Sequence, residues 1–132
     1  RPGTYRYKPQ LSSTRIMIVI YGIPSCGSVK KALFWAKSHA IAHEFRNFRT
    51  EPIDAATLHD WVERVGLDVL CNKKGLFWRK LDAAQREALA ADPAALEAFM
   101  LENPVLIKRP VIVYPDGTIT AGVVEPQWPA RC

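Results

Sequence analysis

The sequence predicts an α/β fold with a mixed sheet, in the order β-α-β, a helical insertion, then β-β-α, and with helices packed on the sheet. Three observations carry that prediction. The apolar run Ile16 to Tyr21 leads through a turn-rich loop into residues of helical spacing and then into an alternating segment, the pattern of a βαβ unit. Helical segments with acidic caps follow one another after it. Pro115-Asp116-Gly117 then separates two β-type runs as a hairpin turn.

Ile16 to Tyr21 falls far short of the roughly 18 apolar residues of a membrane span and reads as a buried strand, so no membrane role is expected. Gly22 to Ser28 is the loop. In Val29 to His39, Val29, Ala32, Leu33 and Ala36 recur at helical spacing. Ala42 to Phe48 alternates, with His43, Phe45 and Phe48 set against Glu44, Arg46 and Asn47, and makes a second strand parallel to the first. Asp54 can cap a helix through Val65, with Ala55, Leu58, Trp61, Val62 and Val65 facing inward and Gly66 as its stop. A Lys-rich loop around Cys71 to Gly75 follows, then Trp78 to Leu81. Asp82 caps a helix over residues 83–90, and Asp92-Pro93 opens another through Leu101, so three short helices are expected in the insertion. Val111 to Tyr114 and Thr118 to Val123 form the closing hairpin. Trp35 and Trp61 read as core.

Composition bounds the function. With 132 residues, 48% of them hydrophobic, the chain can bury a core of its own. The expected organisation is a basic extension over 1–16, one domain over 17–128 and a short tail over 129–132. The formal charge is +5, but Arg1, Arg6, Lys8 and Arg15 supply four of those charges within an extension that has no acid. The body is nearly neutral, which argues against a nucleic-acid surface. The extension lacks the apolar core of a signal peptide; its Arg-rich composition leaves a transit peptide as the alternative. Cys26, Cys71 and Cys132 are an odd set, and neither their spacing nor that of His39, His43 and His59 suits a metal. Free thiols in a reducing cytoplasm, with no metal and no disulfide framework, are expected.

Cys26 stands where a strand ends and a helix begins. There the amides of Gly27, Ser28 and Val29 point at its sulfur, and Lys30 and Lys31 add positive charge one turn on. Amides and helix dipole favour thiolate over thiol, so a cysteine so placed is a candidate nucleophile. Gly27 permits close approach of an incoming group, and Ser28 can cap the helix or bond an oxyanion. A small buried cysteine in a turn has the same spacing, and the loop alone does not separate the two.

Three segments together resemble the ArsC family, in its YffB-like branch, which is related to Spx. They are Ile20 to Ala32; Leu70 to Gly75 leading to Trp78-Arg79-Lys80-Leu81; and Asn103 to Val111. The resemblance spans about residues 17 to 128. It implies a thioredoxin-like fold, the active cysteine at Cys26, a cis proline at Pro110 facing it, and Arg109 as the arginine that binds an oxyanion or an anionic cysteine adduct. A planar guanidinium suits that task. Two arginines of arsenate-reducing members correspond here to Asn72 and about Gly122, so a glutathione-dependent thiol reductase is expected ahead of an arsenate reductase. Its partners would be glutathione as co-substrate, possible help from glutaredoxin, and a small oxyanion or disulfide substrate, with no tightly bound cofactor. Asn72 can serve as a substrate-binding residue or as a turn residue.

Position 29 is valine, so no Cys-x-x-Cys exists and a monothiol cycle is the simpler scheme. That same absence weighs against the other reading the family offers, a Spx-like redox sensor that binds RNA polymerase. Cys71 reads as buried filler, Cys132 as a thiol that could reach the site only from a flexible tail, and Lys73 and Lys74 as either a rim for glutathione carboxylates or a solvated loop.

Overall fold

The computed structural model describes residues 17–123. The expected extension over 1–16, the closing helix, the tail over 129–132 and Cys132 lie outside the described residues.

Strand β1 (Ile18–Gly22) is covered on both sides, which is why it reads as a continuous apolar run. It pairs in parallel with β2 (His43–Asn47), Ile20 opposite Phe45, and antiparallel with β3 (Val111–Val113), Tyr21 opposite Val111. Strand β4 (Ile119–Ala121) adds to β3, giving the order β2-β1-β3-β4. Between β1 and β2 runs α1 (Gly27–Ser38), which begins two residues earlier than the apolar spacing predicts. Its buried face, Val29, Ala32, Trp35 and Ala36, packs on Ile18, Ile20, Ile112 and Tyr114. Gly22 ends β1 because α1 crosses it closely: a Cβ there would lie 2.4 Å from Val29 Cγ2. After α1 the chain turns through Ala40 at φ 53, a conformation that costs an L-residue energy.

The opposite face of the sheet carries the insertion. It comprises α2 (Ala55–Val65), α3 (Leu67–Leu70), α4 (Leu76–Lys80), α5 (Ala83–Ala91), α6 (Pro93–Glu102) and a 3₁₀ turn, Pro104–Leu106. The sequence predicts three helices here; α3 and α4 are single turns, too short for a period to show. The caps are as expected: Asp54 accepts from the Thr57 amide at 2.8 Å, Asp82 from Gln85 at 2.8 Å and Asp92 from Ala95 at 3.2 Å. Leu58 and Trp61 are buried on α2, but Ala55, expected inside, is exposed, because the first turn of α2 precedes its contact with the core. Tyr21 meets Trp61 edge-on at 4.9 Å, joining this layer to the central strand. Cys71 lies in the core among Leu70, Trp78 and Ile107.

The hairpin turn closes through Asp116, whose carboxylate accepts from the Thr118 amide and hydroxyl, and Arg64 reaches from α2 to the Gly117 carbonyl at 2.7 Å. Inside, the buried hydroxyls of Tyr114 and Thr120 share a 2.9 Å hydrogen bond across the hairpin. No helix among the described residues is long and apolar enough to cross a membrane.

Candidate active site

Cys26 is the N-cap residue of α1, with extended φ/ψ of −78° and 128°. Its amide donates to the Ile23 carbonyl at 3.0 Å, closing the loop, and its carbonyl accepts from the Lys30 amide at 3.0 Å, starting the helix. The thiol is free and half-buried. No formal capping bond closes on the sulfur, so what the helix offers is attraction for a negative charge. Burial, the largest single influence, pushes the Cys26 pKa up. The Val29 amide, the Arg109 guanidinium and the Ser28 amide together outweigh it and hold the thiol below its ordinary value.

That balance revises two expectations. Lys30 is expected to add positive charge, yet its side chain is exposed, and Arg109, which the family resemblance singles out, is the cation that acts on the sulfur. Ser28 stands inside the helix, not at its cap, and contributes its amide. Gly27 occupies the first helical position with nothing within 4 Å of where a Cβ would stand, so the approach to the sulfur is open there.

Arg109 reaches Cys26 by sheet register. Because Val111 pairs with Tyr21, the residues just before β3 sit beside the loop just after β1. The Arg109–Pro110 peptide is cis and Pro110 is buried. The guanidinium is anchored from below: Nη1 donates to the Val105 carbonyl at 2.8 Å and to that of Ile107 at 3.3 Å. Nε is buried and has no hydrogen-bond partner among the described residues. Arg109 therefore carries a buried donor whose hydrogen-bonding capacity is unmet within this part of the chain.

A short ladder holds this loop to the insertion. Cys71 and Ile107 form an antiparallel bridge, the Asn72 amide donates to Leu106 at 2.7 Å and the Lys108 amide donates to Leu70 at 2.7 Å. Asn72 thus lies on the strip next to the cis peptide, but its side chain packs over Gly75, where a Cβ would come within 2.7 Å of Nδ2. It makes no hydrogen bond to Cys26 or Arg109 among the described residues. Lys73 sits 5.6 Å from the centre of the Trp78 ring. Burial pushes the Cys71 thiol up, only partly offset by Lys73 and Lys108. Gly122, at φ 84, donates to the Pro110 carbonyl at 2.9 Å and lies against the Lys108 stem.

A groove of about 480 Å³ opens beside the site, between Ile23, Phe48, Arg49 and Pro52 on one wall and residues 101–105 on the other. The two charged residues of the lining were not singled out by the sequence, because Arg49 and Glu102 look like ordinary solvated charges at element ends. Only their meeting in three dimensions marks them.

A family model described as the ArsC family matches residues 21–129. An uncharacterized protein of Haemophilus influenzae is 39% identical over 114 residues, covering 86% of this chain and 97% of its own. The solved structure of the YFFB protein superposes with a TM-score of 0.78 at 34% identity, covering 86% of this chain and 97% of that one. A global transcriptional regulator Spx of Streptococcus agalactiae is 29% identical over 103 residues, covering 74% of this chain and 70% of its own.

Proposed function

The chain belongs to the ArsC family, and from that premise we propose that it is a glutathione-dependent thiol oxidoreductase working through Cys26 in a reducing cytoplasm. The observation that carries the proposal is the convergence of the α1 amides and Arg109 on one accessible sulfur. A thiolate held by fixed donors is ready to attack, and those donors need no rearrangement when charge moves onto or off the sulfur.

In the proposed cycle the Cys26 thiolate attacks a sulfur of a disulfide substrate. A bond from Cys26 to that sulfur forms, the substrate S–S bond breaks, and the departing thiolate takes a proton from solvent. Glutathione thiolate then attacks the mixed disulfide, releasing the bound thiol, and a second glutathione frees Cys26 with formation of glutathione disulfide. Arg109 stabilises each departing thiolate near Cys26. Glutaredoxin could replace the second glutathione.

Arsenate reduction is less well supported. The positions of the two further family arginines hold Asn72, engaged with Gly75, and Gly122, whose positive φ would strain any L side chain placed there. The relative named global transcriptional regulator Spx suggests a regulator instead, but position 29 is a core valine packed on Gly22 and cannot serve as the second cysteine of a redox pair. Alkylation by iodoacetamide across pH, mapped to each cysteine by mass spectrometry, tests the lead reading. Cys26 should react at neutral pH far faster than Cys71; reaction no faster than an ordinary thiol overturns it.

A further inference from the structure

Resting on the reading of Cys26 as a thiol–disulfide nucleophile, we propose that the adjoining groove receives the non-reacting part of a peptide-like thiol bearing both a carboxylate and an ammonium group, with Arg49 and Glu102 as the two charge partners. Position is the first argument. Ile23 lines one wall and its carbonyl holds the Cys26 amide; Val105 lines the other and its carbonyl holds Arg109. The groove therefore begins one hydrogen bond away from each of the two site residues.

Size is the second. At about 480 Å³ the groove is in the range of small-ligand pockets, roughly 300–1,000 Å³, and suits a tripeptide. Its floor at Phe48 is buried and apolar, which suits the aliphatic stem of such a molecule.

Charge is the third. Some surface charges are already paired: Arg46 with Glu44, Arg64 with Asp60, and His59 with Glu63 and Glu97. Arg49 and Glu102, one cation and one anion, both line the groove, and neither has an ion pair among the described residues. An uncharged ligand would leave both unused, and a purely anionic one would meet Glu102. A zwitterionic thiol satisfies both.

The test is the rate of mixed-disulfide formation at Cys26 in the full chain, followed by mass spectrometry and mapped to that residue. Two reagents are compared, glutathione disulfide and the uncharged bis(2-hydroxyethyl) disulfide. In each case Cys26 gains a bond to one reagent sulfur while the other sulfur leaves as a thiol, so the same kind of exchange is followed with a charged peptide group attached and without one. Arg49→Ala and Glu102→Gln should each lower the ratio of the two rate constants, Arg49→Ala by roughly fivefold, as expected for loss of one exposed charge pair. Because the ratio is internal to each variant, a change in the fraction of folded protein cancels from it. A ratio unchanged in either variant overturns the assignment of the groove and leaves the proposed function standing. Absence of reaction at Cys26 with both reagents overturns the two together.

Discussion

Arg109 and Cys26 meet across the C-terminal end of β1, although the entire helical insertion separates them in sequence. The pairing of Tyr21 with Val111 brings them together, and two backbone carbonyls fix the guanidinium against the sulfur.

Removing that guanidinium should move the Cys26 titration upward. Arg109→Gln is expected to shift the pH profile of alkylation to higher pH and to slow alkylation at pH 7 on the order of three- to tenfold, since only the thiolate reacts. Stopped-flow alkylation checks it.

The same donors couple the sulfur to folding. The folded-state pKa of Cys26 lies below the unfolded one, so between those two values the unfolded chain binds more protons and stability rises with pH. The contribution is fully present above the unfolded pKa and is lost as pH falls through the folded one. Denaturant midpoints of the wild type and Cys26→Ala should therefore separate as pH rises through that window. Cys71, shifted the opposite way and present in both proteins, cancels from the difference.

Ala40 takes a left-handed conformation after α1 that glycine adopts freely. Ala40→Gly should stabilise the protein by roughly 0.5–1 kcal/mol, measured by urea unfolding. At α5, Asp82→Ala removes the acceptor for the Gln85 amide and should cost about 1 kcal/mol.

Gly22→Ala places a methyl group into Val29 and should cost about 1–3 kcal/mol. Pairing it with Val29→Ala should recover part of the loss if the clash is the cause. Thermal denaturation of the two single variants and the double variant decides it.

Much of this architecture was legible along the chain. The βαβ start, the three acidic caps and the Asp-Gly turn depend on neighbours a few residues apart, and each appears where the pattern put it. The single-turn helices α3 and α4 escaped because four or five residues define no period. At the site, a helix start could be read from Gly22 to Val29, so the amide contribution at Cys26 was visible. The cation was legible only through the family resemblance, which named Arg109; local spacing offered Lys30 and Lys31 instead, because strand pairing, not sequence distance, brings Arg109 to the sulfur. Arg49 and Glu102 escaped for the same reason, since each is unremarkable until the opposite wall is present.

The bridge from Cys71 to Ile107, flanked by the Asn72 and Lys108 amides, makes the insertion the foundation on which the arginine stands. Repacking at Leu70 or Trp78 would tilt that foundation, and the guanidinium would swing with it. Reactivity at the sulfur thus becomes a remote gauge of how well the helices beneath are seated, sensitive to changes that leave every catalytic side chain untouched.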